Sequence, residues 1–223
     1  MDKLLEKIAY CVERGKINVI SPFPPDLKGE EGVDELTKKA LQMNISPELI
    51  LNDGFIKGME KVGIKFRDKK IFVPDVLIAA KAMATGMNHL KPLFLEQNIQ
   101  MKGKVVLGTV AGDLHDIGKN ILSMMLQGGG WEIIDLGINV SPQKFVDAIK
   151  LHNPFAVGLS ALLTTTMVNM KPTIDEIRKA NPEIKIMVGG APITKDFANQ
   201  IGADFYSPHP MEALDYLNKK LSN

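Results

Sequence analysis

The sequence predicts an α/β protein, a doubly wound parallel sheet of five strands preceded by an all-helical cap of four helices. Three observations predict it. Short apolar runs rich in β-branched residues recur five times in the C-terminal half, each separated from the next by a stretch of helical period. The first 97 residues carry helical period alone. Between the two, near 96–103, the period changes across a short polar connector that ends in Gly103.

In the N-terminal part, Leu4, Leu5, Ile8 and Val12 fall at helical spacing and are followed by Ser21-Pro22-Phe23-Pro24-Pro25, where the prolines stop a helix. A second helix is expected over 33–43. Ser46-Pro47-Glu48 reads as a helix start, with a capping hydroxyl, proline in the first turn and an acid beside the positive end of the dipole. Ile50, Ile56, Met59, Val62 and Phe66 then form one face. Pro74 opens a fourth helix whose apolar side is expected to hold Val76, Leu77, Ala80, Met83, Ala84, Met87 and Leu90. Helices of this kind cannot bury their stripes singly, so a small bundle follows, with Met59, Met83 and Met87 in its core.

In the C-terminal part, strands are expected at 104–110, 131–136, 155–159, 184–188 and, weakly, 203–206. Helices are expected at 118–126, 142–151, 167–180, 194–201 and 211–221. Strand and helix alternating at this spacing give a parallel sheet covered on both faces, with the flavodoxin-like order 2-1-3-4-5. The domains are therefore 1–97, the cap, and 104–223, the Rossmann-like domain.

Lys+Arg total 27 against 26 Asp+Glu, which leaves no field to gather nucleic acid or anionic membrane. Cys11 is the single cysteine, so no intramolecular disulfide forms and a reducing compartment fits. Charges interrupt the first residues where a signal peptide would be apolar, and Lys81 interrupts an apolar stretch too short to span a bilayer. The expectation is a cytoplasmic protein with no nucleic-acid and no membrane partner.

In open α/β sheets ligands bind beyond the carboxyl ends of the strands. Three loops stand there. Gly112-Asp113-Leu114-His115-Asp116-Ile117-Gly118-Lys119-Asn120 follows the first strand, Ser160-Ala161-Leu162-Leu163-Thr164-Thr165-Thr166 the third, and Gly189-Gly190-Ala191-Pro192 the fourth. A phosphate-binding P-loop is excluded, because Asp113 stands at the first glycine and Asn120 at the hydroxyl. The dinucleotide glycine fingerprint is absent, and Ser160 stands where a receiver domain would place an aspartate. Cys11 is distant and His89, His152 and His209 show no ligand spacing, which argues against zinc. Taken alone, a loop histidine near an aspartate is more often a surface or capping pair, and Gly189-Gly190 more often a tight turn.

Together, Asp-x-His-x-x-Gly, Ser-x-Leu and Gly-Gly on successive strand ends resemble the cobalamin-binding module of methionine synthase. The runs Gly112–Asn120 and Gly158–Met167 more closely resemble the small corrinoid proteins of methanogen and acetogen methyltransferase systems. The resemblance extends over nearly the whole chain, the helical cap included. It implies a corrinoid cofactor (cobalamin, methylcobalamin when loaded) with His115 as an axial ligand to cobalt. It implies Asp113 as the carboxylate behind that histidine, with Thr166 in the place of a serine hydroxyl. The cofactor-binding set it implies is Asp113, His115, Asp116, Ile117, Gly118, Ser160, Leu162, Thr164, Thr166, Gly189 and Gly190. Of these, Gly118 would let the nucleotide tail approach the backbone, and Ser160 and Leu162 would face Gly189 and Gly190 across a slot for its base.

The function implied is a methyl carrier. The cobalt takes a methyl group from a donor methyltransferase, and the carrier delivers it to an acceptor methyltransferase that uses tetrahydrofolate or coenzyme M. A reductive activation protein completes the partner set. The chain itself holds no separate catalytic acid or base. Donors of the family include methylamines, methanol, methylthiols, betaine and methoxyaromatics, with a slight lean to an O-demethylase system. The helix at 74–87 would serve as a lid, with 97–103 as its hinge. Two alternatives share the motifs. The small subunit of an adenosylcobalamin-dependent mutase usually lacks a helical cap, and a corrinoid-sensing regulator needs a DNA-binding module that this length does not provide.

Overall fold

A computed structural model describes residues 2–97 and 101–221. The chain divides into two compact units, one made of the helices up to residue 97 together with Gly128–Gly130, the other of the rest of the sheet region from residue 101. Residues 98–100, inside the expected hinge, lie outside the described residues.

In the helical unit, α1 (Asp2–Arg14) buries Leu5, Ile8, Ala9 and Val12, the stripe its spacing predicts. α2 (Val33–Gln42) starts where Glu35 reaches back to accept the N–H of Gly32 at 2.9 Å. Ser46 caps α3 (Pro47–Leu49) by accepting the Leu49 N–H at 3.3 Å. The chain then widens into a π-helical segment, Ile50–Ile56, before α4 (Lys57–Arg67). That widening explains the irregular spacing of apolar residues from Ile50 to Met59. α5 (Val73–Gln97) departs from expectation on one point. Its buried residues are Val76, Ala79, Ala82, Met83, Met87, Leu90 and Phe94, whereas Leu77 and Ala84 face solvent. Steps of three and four from Val76 keep the buried residues on one face, and Leu77 and Ala84 lie one residue, about 100°, off that face.

In the sheet unit, five parallel strands take the order β2-β1-β3-β4-β5. They are β1 (Lys104–Thr109), β2 (Glu132–Asp135), β3 (Ala156–Ser160), β4 (Lys185–Gly189) and β5 (Phe205–Tyr206). The helices are α6 (Ile117–Gly128), α7 (Pro142–His152), α8 (Thr164–Met167), α9 (Met170–Ala180), α10 (Lys195–Ile201) and α11 (Pro210–Leu221). The helix expected over 167–180 is two pieces. Asn169 interrupts it, sending its side-chain amide to the carbonyl of Ala111 at 2.8 Å while its own carbonyl accepts the Thr173 hydroxyl at 2.7 Å.

Strand alternation makes the two faces unequal. One face carries Val106, Val157, Leu159, Ile186 and Val188, packed with Phe145 and Ile149 of α7, Ile174 and Ile177 of α9 and Ile201 of α10. The other carries Leu107, Gly158, Ser160, Met187 and Gly189 on the same strands. Its small residues leave space under the helices, and that space is the site. Among the described residues no helix is long and apolar enough to cross a membrane.

Candidate cofactor site at the carboxyl ends of the strands

The loop from β1 to α6 is fixed from three sides. Asn139, in left-handed conformation (φ 51°), accepts the N–H of Gly112 at 2.8 Å and donates its own N–H to the carbonyl of Asp113 at 3.0 Å. Asn169 holds the carbonyl of Ala111. The Thr109 hydroxyl donates to the carbonyl of His115 at 3.0 Å. Gly112 turns the chain with a φ of 80°, which few other residues adopt.

These anchors bury Asp113 completely beneath His115. Its Oδ1 accepts the backbone N–H of His115 at 3.0 Å and faces the ring Nδ1 at 2.8 Å. Its Oδ2 accepts the N–H of Leu162 at 2.8 Å and the hydroxyl of Thr166 at 2.5 Å. Burial would raise the pKa of this carboxyl, but the bonds from Thr166, His115 and Leu162 outweigh it and hold the group well below the usual carboxylate range. A carboxylate can only accept, so Nδ1 of His115 must be the donor. In the neutral ring this leaves the lone pair on Nε2, and the side chain is 49% exposed.

Beside the histidine lies a cavity of about 560 Å³. Its lining includes His115, Asp116, Ile117, Gly118, Ser160, Leu162, Gly189 and Gly190, which brings together eight of the residues singled out from the sequence. Asp113 and Thr166 stand behind the ring rather than in the wall. Thr164 stands apart: it is the exposed first residue of α8 and does not line the cavity. Leu107, Lys119, Leu122, Gly158, Met187 and Ala213 line it too and were missed, because in sequence each reads as ordinary strand or helix interior. The signal that could have found them is the alternation itself, since Gly158, Ser160 and Gly189 are the small members of one sheet face.

The three motif glycines differ in what they tolerate. A β-carbon on Gly118 would meet no atom within 4 Å, so this backbone is open. Gly189 is tighter, with the carbonyl of Ser207 at 3.2 Å. Gly190 has a φ of 132°, and a β-carbon there would come within 1.8 Å of the Ala161 carbonyl oxygen. Its glycine is required by the packing of two loop backbones, a different reason from room for a ligand.

Among the described residues, no group of three or more His, Cys, Asp or Glu is arranged to enclose a metal ion. One outward imidazole nitrogen beside a deep, largely apolar cavity instead suits a metal that carries its own equatorial ligands and a bulky appendage.

Two family models, each described as a B12 binding domain, match residues 103–215 and 29–91. The trimethylamine corrinoid protein 1 of Methanosarcina acetivorans is 42% identical over 194 residues, covering 85% of this chain and 88% of that protein. This chain belongs to the B12-binding corrinoid proteins. The dimethylamine corrinoid protein 1 of the same organism is 37% identical across 96% of the chain and 95% of its own length. Among solved structures, a cobalamin-binding protein from Desulfitobacterium hafniense DCB-2 matches with a TM-score of 0.74 and 29% identity, over 96% of this chain and 97% of that one. The methanol:cobalamin methyltransferase complex MtaBC from Methanosarcina barkeri matches with a TM-score of 0.82 and 26% identity, over 100% of this chain and 81% of that one.

Proposed function

We propose that this corrinoid protein is a methyl carrier that takes a methyl group from a donor methyltransferase and presents it to an acceptor methyltransferase. The observation that carries the reading is His115, half-exposed at the mouth of the cavity with Nδ1 committed to the Asp113 carboxylate. The residues fit the group: His115 would hold cobalt through Nε2, and the cavity walls would hold the nucleotide tail. When bound, the corrinoid supplies a metal that can accept a methyl group and release it. The chain supplies orientation, ligation and exclusion of water.

Asp113 and Thr166 fix the tautomer of His115 and so set how strongly it donates. Relatives named for trimethylamine and dimethylamine support a methylamine as the donor class over a methoxyaromatic one. The likeness to the methanol:cobalamin methyltransferase complex supports a dedicated methyltransferase as partner. The acceptor enzyme would use tetrahydrofolate or coenzyme M, and a reductive activation protein would restore the carrier after oxidation. The division of labour into a helical cap, 1–97, and a cofactor domain, 104–223, belongs to the same proposal.

The test is His115→Gly. The variant is expected to bind corrinoid but to show the visible spectrum of a water-ligated or five-coordinate form. A spectrum identical to that of the native holoprotein would remove His115 as the ligand.

A further inference from the structure

We infer that the cavity selects corrinoids by their lower base, admitting bases with a hydrocarbon outer edge, a benzimidazole or a phenol-derived ring, and discriminating against purines. The inference rests on the corrinoid reading above. Parallel register sorts the cavity-facing strand residues into rows. Ser160 pairs with Gly189 in the outer row, at the strand ends. Leu107, Gly158 and Met187 pair in the row beneath it. Gly158 makes the inner row passable, since a β-carbon there would lie 2.6 Å from Leu107 Cδ2. Leu122 of α6 and Ala213 of α11 also line the cavity.

The strand residues of that inner row, Leu107, Gly158 and Met187, carry no polar side chain, and the polar residues of the lining come from the strand ends, the loops and the start of α6. Lys119 is committed to Asp135 and Asn120, Asp116 accepts from Asn120, and the Ser207 hydroxyl donates to the His209 carbonyl. The Tyr206 ring packs against the core of the opposite face. The Ser160 hydroxyl makes no hydrogen bond within the described structure, and it belongs to the outer row. Backbone groups of the inner row are taken up by the sheet ladder.

A lower base is joined to the tail through its five-membered ring, or through oxygen in a phenol, so its six-membered ring enters first. In a benzimidazole or a cresol that ring presents only carbon and hydrogen. In adenine it presents ring nitrogens and an exocyclic amine, each of which leaves water without a replacement partner. Such an unpaired group weakens binding by about tenfold or more.

The experiment is reconstitution of the full-length apoprotein with dimethylbenzimidazolyl, cresolyl and adeninyl cobamides, with dissociation constants from equilibrium dialysis. The first two are expected to bind alike and the adeninyl form at least tenfold more weakly. Met187→Gln, which places an amide in the inner row at nearly constant volume, is expected to close that gap. A gap under tenfold in the native chain overturns the selectivity. So does a folded Met187→Gln chain, judged by circular dichroism, that keeps the gap unchanged. Binding of none of the three cobamides would overturn the corrinoid reading as well, whereas equal binding of all three overturns the selectivity alone.

Discussion

Asp113 faces two demands that pull in opposite directions. It is fully buried, which disfavours its charge, yet it must be charged to hold Nδ1–H of His115 and leave Nε2 outward. The Thr166 hydroxyl and the backbone N–H groups of His115 and Leu162 resolve the conflict by donating to it. Because its pKa in the folded chain is depressed, its contribution to stability is complete above the unfolded carboxylate value of ~3.9 and is lost as pH falls below it. Asp113→Asn is therefore expected to cost about 2–4 kcal/mol near neutral pH, since charged bonds are replaced by weaker ones and the amide brings a donor among donors. Acid titration of unfolding checks the sign. The native chain should lose more stability than the variant between pH 5 and pH 2, and parallel curves would show that folding leaves the pKa of Asp113 unchanged.

At the scale of elements, glycines of two motifs separate folding from binding. Gly190→Ala forces a β-carbon onto the Ala161 carbonyl at a φ that L-residues rarely adopt, and Ala161 N–H itself bonds to the Gly189 carbonyl at 3.3 Å. A loss of about 2 kcal/mol or more in unfolding free energy is expected from the apoprotein. Gly118→Ala meets nothing within 4 Å and lies in the first turn of α6, so stability should be unchanged or slightly raised. Corrinoid affinity should nevertheless fall, because the added methyl projects into open space of the cavity. Equal thermal destabilisation in the two variants would contradict this division. The same elements show what the sequence made legible. β1, β3 and β4 were plain because burial on both faces makes a continuous apolar run, and the loop motifs were plain because Asp113, His115 and Gly118 interrupt such runs with chemistry. β5 is two residues on an edge and barely differs from a loop. The break at Asn169 and the clamp by Asn139 were hidden, since both depend on a distant backbone carbonyl or N–H rather than on local period. Leu107 and Met187 were hidden because a strand residue beside a cavity has the same composition as one in a core. Only register assigns it.

For the whole molecule, the question is how much of the chain cofactor binding requires. The sheet unit has its own apolar cluster, from Val106 and Phe145 through Ile174 to Ile201, and that cluster draws on no residue of the helical unit. Every residue lining the 560 Å³ cavity also falls between Leu107 and Ala213. The hydrogen bonds that fix His115 come from Thr109, Asp113, Asn139, Leu162, Thr166 and Asn169, all in the same unit. A chain beginning at residue 101 thus keeps its core, its cavity and the supports of the ligand histidine. At roughly 120 residues it also falls within the size range in which a single core suffices for independent folding. It is expected to fold cooperatively and to bind corrinoid with an affinity within about tenfold of the full chain, a difference of ~1.4 kcal/mol. Its visible spectrum should respond to His115→Gly as the full chain does. A truncated protein that shows a native far-ultraviolet spectrum and cooperative unfolding, yet binds no corrinoid, would mean that the N-terminal helices contribute directly to cofactor affinity. The division into a binding domain and a separate cap would then have to be abandoned.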